Sequence, residues 1–200
     1  AEMFALQGVE PPLVFGPEHM THAVDHNREY AEAIAARPKA AALVARWASH
    51  GYVDGIRTDE DPESARALAE AMAAYGRPLW VTEGGTGGHD WPEPLHGIAA
   101  QLHNALVGGN VAAFTPWQIS GREASSHNLM EYDQLTKKSF AAMHYWRPIR
   151  PGMVRLGVEA EGGGPDISAF FDPGSPERMA VVILNRGETE HEVVLETVND

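Results

Sequence analysis

Between residues 13 and 147 short apolar runs alternate with longer amphipathic ones, and this alternation restricts the fold more than any other feature of the sequence. LVFGPEH (13–19) is a strand candidate running into Gly16 and Pro17, and THAVDHNREYAEAIAARP (21–38) has the texture of a helix closed by Pro38. KAAALVARWAS (39–49) reads as a second helix, which delivers the chain to His50, Gly51 and Tyr52, a short extended stretch with two polar rings two residues apart. DPESARALAEAMAAYG (61–76) carries helix signals at both ends: Asp61 as N-cap, Pro62 in the first turn and Gly76 as stop, with Leu68 and Met72 on one face. PLWVTE (78–83) is the next strand candidate. PLHGIAAQLHNALVGG (94–109) follows as a helix with Leu95, Ile98, Leu102 and Leu106 at helical spacing. NVAAFTPWQIS (110–120) reads as a strand, residues 120–132 as a polar loop, and KKSFAAMHYW (137–146) as a last helix. Strands separated by helical crossovers run parallel, so these residues predict a parallel α/β architecture.

From PIRPG (148–152) onward the texture changes. MVRLGV, ISAFFD, MAVVILN and HEVVLE are four strand candidates separated by glycine-rich or acidic turns, the pattern of an antiparallel β unit. We therefore divide the chain into residues 1–147 and residues 148–200.

Composition narrows the partners. A formal charge of -13, from 15 basic and 28 acidic residues, repels nucleic acid phosphates and anionic membrane surfaces, and favours a neutral or cationic ligand. With no cysteine, thiol nucleophiles and zinc-thiolate sites are excluded. The compartment stays open, since secreted bacterial proteins also lack cysteine. No apolar run is long enough to span a bilayer, and the opening AEMFALQGVE, without an initiator Met, suggests a processed form or a piece of something longer.

Ligands of parallel α/β folds bind at the carboxyl ends of the strands, and that is where this chain places its polar and aromatic residues. Glu18 ends the first strand, His50 and Tyr52 the second, Glu83 the third and Trp117 the fourth. Side-chain alternation groups Val81 with Glu83, His50 with Tyr52, and Val111, Ala113 and Thr115 with Trp117. If those faces point into a barrel, Glu83, His50, Tyr52 and Trp117 meet at its mouth. A carboxylate there can serve as nucleophile or general acid/base, and a Trp can stack on a sugar ring. Retaining glycoside hydrolysis needs two carboxyl groups about 5–5.5 Å apart.

Plainer readings compete with each of these. Glu83 also reads as a helix cap or ion-pair partner, and His50 and Tyr52 as satisfied core rings. Trp80, on the other face of its strand, reads as packing against helices; His89 and Trp91 read equally as a substrate wall or as loop anchors. GGTGG (84–88) lacks the Lys and Ser/Thr of a phosphate loop and follows a carboxylate, so phosphate binding is rejected. Glu18 with His19, His22 and His26 has the spacing of a metal site on one helical face, a minor alternative with no second cluster to support it. His103 and Ser120 have no triad spacing. No metal or other cofactor is expected.

LWVTE (79–83), LHNALVGGNVAAFTPWQ (102–118) and above all KKSFAAMHYWRPIRPGMVRL (137–156) resemble glycoside hydrolase family 30, with SHGY (49–52) and GPEH (16–19) agreeing more loosely. That family comprises retaining β-glycosidases acting on xylan, β-glucan or glucosyl conjugates. The resemblance implies strands five to eight of a (β/α)8 barrel followed by part of a β-sandwich. It implies Glu83 as nucleophile, Trp117 as aromatic platform and His50 and Tyr52 beside the substrate; Glu18 and Trp91 are further candidates for substrate contact. The family's acid/base Glu lies in an Asn-Glu-Pro after the fourth strand, and no Asn-Glu-Pro occurs here; Glu10-Pro11 has no strand before it. The sequence thus resembles the second half of such a barrel, with a carbohydrate substrate and with reason to associate with the missing half or with a second copy.

Overall fold

The first half of the chain lays four parallel strands side by side in chain order, joined by helical connections. The computed structural model describes residue 4 and residues 6–21, 23–52, 63–123, 125–160 and 163–196. Contacts divide the chain into two compact units, Ala1–Met143 and His144–Asp200.

In the first unit, strands β1 (Val14–His19), β2 (Val44–His50), β3 (Leu79–Glu83) and β4 (Ala113–Phe114) form one sheet in the order β1-β2-β3-β4. All three pairings are parallel. Helix α1 (Val24–Ala35), the short turn α2 (Pro38–Ala41) and helix α3 (Glu63–Ala73) connect the first three strands. The fourth connection is a helical run in which an α-helical turn, α4 (Ala100–His103), lies between wider turns at Leu95–Ala99 and Asn104–Gly108, with a kink at Gly97. A polar segment then folds into a small sheet of β5 (Ser120–Gly121), β6 (Met130–Glu131) and β7 (Gln134–Leu135), and helix α5 (Lys137–Trp146) follows.

One boundary differs from the sequence reading. The expected second helix stops after Ala41, and VARWASH forms β2. Alanine-rich text favours a helix, but here the backbone of residues 44–50 gains hydrogen-bonded partners on both sides, and Trp47 is buried among Leu68, Met72 and Val81. At the other end of α3, the expected Gly76 stop holds: it takes φ +62 and its N–H donates to Ala73 O at 3.0 Å. Asp61 and Pro62 lie outside the described residues.

The core shows which sheet face meets the helices. Ala31, Trp47, Ala65, Leu68, Met72, Leu79, Val81, Ala105 and Val111 form one buried cluster. Trp80 therefore does not belong to the helix-facing set: its ring packs at a tilt against Phe15 with centroids 5.6 Å apart, and the Arg46 guanidinium lies 5.7 Å from its centroid. Val81, expected on the ligand-facing side with Glu83, is fully buried with the helices instead. A register shift between Ser49 and His50 explains how Glu83 leaves Val81's face: it breaks the simple alternation just before the strand ends.

In the second unit β8 (Val154–Leu156), β9 (Asp166–Asp172) and β10 (Ser175–Leu184) make an antiparallel sheet in the order β10-β9-β8. Ala180, Val182 and Leu184 are buried while Met179 and Ile183 are exposed, the period-two pattern of a sheet with one covered face. Arg186 pairs with Asp166 at 2.8 Å. HEVVLE (191–196), expected as a fourth strand, is irregular, with Val194 and Leu195 exposed; β propensity by itself does not make a strand, and among the described residues this segment pairs with no strand of the sheet.

Candidate active site

The carboxyl ends of β1, β2 and β3 bring together Glu18, His50 and Glu83, with Tyr52 just beyond β2. The buried His50 ring lies between the two carboxylates: Nε2 is 3.1 Å from Glu18 Oε2, and Nδ1 is 3.4 Å from Glu83 Oε2 without hydrogen-bond geometry. Tyr52 Oη donates to the same Glu83 oxygen at 3.0 Å, and Thr82 Oγ1 donates to Glu18 Oε2 at 2.7 Å. The Tyr52 ring meets the His50 ring edge-on at 5.8 Å and the His127 ring at 5.9 Å. Burial first, then the hydrogen bond to Glu83 and its charge, push the Tyr52 phenol well above its ordinary range, so it keeps its proton and acts as a donor.

Tyr52 and Glu83 line an open cleft of about 560 Å³ together with Met20, Trp117, Ser126, His127 and, from the glycine loop, Gly85 and Thr86. Trp117 is 51% exposed there, which leaves its ring available to a ligand.

The glycine loop is a packing device. A Cβ at Gly84 would lie 2.6 Å from Phe114 Cζ, and one at Gly87 would lie 2.7 Å from Gly97 Cα. Gly85 takes φ +151, where a Cβ would sit 2.9 Å from Trp117 O, so only glycine lets β3 run on against the segment carrying Trp117. The fully buried Lys138 of α5 donates from Nζ to Gly87 O at 3.2 Å and to Ser126 O, joining the two loops that wall the cleft. Burial pulls its ammonium down from an ordinary 10.5 to about 8. A 2.6 Å hydrogen bond between His89 Nε2 and Ser125 O ties the same loops again, and Lys137 pairs with Asp90 at 2.7 Å.

Of the residues singled out from sequence, Glu83, Tyr52 and Trp117 line the cleft; His50 and Glu18 stand behind Glu83. Trp91 is 49% exposed and is not among the cleft-lining residues, and His89 is a loop anchor. His19 ends a strand rather than sharing a helical face with His26; their rings lie 4.9 Å apart, and His22 falls outside the described residues. Among the described residues no group of three or more metal-liganding side chains occurs. Ser120 Oγ donates to Tyr132 O, a structural bond. Thr82, Ser126, His127 and Lys138 were missed. Lys138 had a signal: with Ala141, Ala142 and Tyr145 it falls on the buried face of α5.

The fold is that of family 30 glycoside hydrolases over the part this chain spans. A GH30 endoxylanase from Clostridium papyrosolvens C71 aligns with a TM-score of 0.62 at 18% identity, covering 80% of this chain and 38% of that one. The catalytic domain of GH30 xylanase C from Talaromyces cellulolyticus aligns at 0.60 and 16% identity, covering 86% and 39%. SrfJ from Salmonella typhimurium aligns at 0.62 and 16% identity, covering 86% and 40%. The chain thus spans about two fifths of the length of these structures. No family model matches the sequence, and no curated protein does.

Proposed function

We propose that this chain carries the nucleophile-bearing part of a retaining β-glycoside hydrolase acting on xylan, β-glucan or a glucosyl conjugate. The observation that carries the reading is Glu83: a carboxylate at the end of a parallel strand, open to a cleft, holding a phenolic hydrogen bond from Tyr52 and sharing that cleft with an exposed Trp117. The fold likeness supports it. Glu83 attacks the anomeric carbon as the bond to the leaving oxygen breaks; that oxygen departs with the electron pair and takes up a proton, and water later releases the sugar and restores the carboxylate. Tyr52 donates a hydrogen bond to the nucleophile, His50 flanks it, and Trp117 stacks on the sugar. We assign this chemistry to residues 1–147 and read residues 148–200 as a sandwich segment. A barrel half of this kind would dock its complementary half or a second copy.

Glu18 cannot be the proton donor of a retaining pair, because the His50 ring stands between it and Glu83. The test must therefore not depend on protonation of the leaving group. A 2-deoxy-2-fluoro β-xyloside or β-glucoside carrying 2,4-dinitrophenolate meets that need, since the phenolate leaves unprotonated. Mass spectrometry is expected to find one glycosyl adduct on Glu83; an adduct on another residue would refute the assignment. A second reading, a sugar-binding module without hydrolysis, draws on the exposed Trp117, and oligosaccharide binding with no adduct would favour it.

A further inference from the structure

We propose that Glu18 is a positioning residue: through His50 Nε2 it fixes the orientation and tautomer of the imidazole that flanks Glu83. The inference rests on the reading of Glu83 as nucleophile.

The backbone is the first indication. Glu18 takes φ +69, a left-handed conformation uncommon for a residue with a Cβ, and the β1–β2 register shifts between Pro17 and His19. Such departures persist where surrounding bonds over-determine them. Here those bonds come from two neighbouring strands: Thr82 Oγ1 donates to Glu18 Oε2 from β3, and His50 Nε2 reaches the same oxygen from β2. Oε1 is buried without a hydrogen-bond partner among the described residues, so Oε2 makes every hydrogen bond of this side chain recorded there.

The proton arrangement follows from those contacts. Thr82 Oγ1 lies 2.7 Å from Oε2 against 3.5 Å from Ser49 O, so its one hydroxyl proton goes chiefly to Oε2, and a carboxylate oxygen that already accepts one bond accepts a second from Nε2–H. His50 is thereby held as the Nε2-protonated ring, and Nδ1 is left facing Glu83 Oε2 at 3.4 Å, buried and without a hydrogen bond. In this orientation the ring turns its Nδ1 edge toward the nucleophile's carboxylate. Among the described residues the further titratable group recorded against His50 is Tyr52, which in turn meets His127. Glu18 thus serves Glu83 through His50, without lining the cleft itself.

The test uses the 200-residue chain, uniformly labelled with ¹⁵N, and long-range ¹H–¹⁵N correlation of the histidine rings, with His50 assigned by its loss in His50→Gln. In the parent, His50 Nε2 is expected to be protonated. Glu18→Gln, close in shape but uncharged, is expected to move the His50 ring nitrogens while the other histidines stay in place. It is also expected to slow fluorosugar labelling of Glu83 by roughly 10-fold or more, with little change in the half-saturating concentration. Thr82→Val removes Glu18's second anchor and keeps its charge; a smaller change in the same direction is expected, and this variant carries the test should Glu18→Gln fold poorly. Unchanged His50 signals, or an unchanged labelling rate in a chain whose parent labels normally, would overturn the role of Glu18 alone. A parent that never labels Glu83 overturns the glycosidase reading instead, and the ring signals still report whether Glu18 fixes His50.

Discussion

The strand ends and the cleft walls are held by different bonds. Behind Glu83 the bonds run between side chains: Thr82 to Glu18, His50 to Glu18, Tyr52 to Glu83. Around the cleft they run from side chains to loop backbone: Lys138 to Gly87 and Ser126, His89 to Ser125. A network of side chains at the ends of adjacent strands sets the aim of one carboxylate. Bonds to carbonyls fix where a loop runs and are indifferent to which side chains that loop presents. The first region should govern chemistry and the second stability, with the walls free to vary in sequence around a constant frame.

The largest effect should come from the strand ends. Glu83→Gln is expected to reduce fluorosugar labelling by roughly 1,000-fold or more while leaving the circular dichroism spectrum and melting temperature near the parent's. Tyr52→Phe removes one donor to Glu83 and should slow labelling by about 10-fold to 100-fold, more through the rate at saturation than through affinity. A variant at either position that unfolds the chain instead would break the proposed division of labour.

Lys138→Met tests the opposite pole. It removes the ammonium that donates to the carbonyls of Gly87 and Ser126, and is expected to cost about 1.5–3 kcal/mol in denaturant unfolding, with a smaller effect on labelling. The same residue gives a pH signature. Between about 8 and its ordinary 10.5 the folded chain holds fewer protons at Lys138 than the unfolded chain does, so this group's contribution to stability rises with pH across that window and is lowest below about 8. Lys138→Met should flatten that rise in unfolding curves measured at several pH values. The smallest effect is expected from Lys137→Ala. Its partner Asp90 is held below its usual range by the Lys137 hydrogen bond and charge, but the pair is exposed, and the melting temperature should move by no more than about 1 °C.

Much of the frame was legible beforehand. The helices over 24–35, 63–73 and 137–146 carry helical spacing or end signals, and the strands ending on Glu18 and Glu83 are short apolar runs beside glycine or proline. VARWASH was misread because alanine propensity is local, whereas a central parallel strand is stabilised by neighbours distant in sequence. Trp80 and Val81 were exchanged because alternation places two residues on opposite faces without saying which face the helices will cover. His127 and Ser126 sit in a polar stretch with no periodicity, and nothing in that stretch announces a cleft wall.

The sequence by itself determined the parallel α/β order, the change of texture near residue 148 and the placing of carboxylates and rings at strand ends, because these follow from local periodicity and from how βα units must connect. Only the tertiary structure decided that one imidazole stands between Glu18 and Glu83, that Tyr52 donates to Glu83, and that a buried lysine joins the two loops. The reason is geometric: each of these contacts joins residues on different elements, and those at the strand ends lie beside register shifts of a single residue that no local pattern encodes.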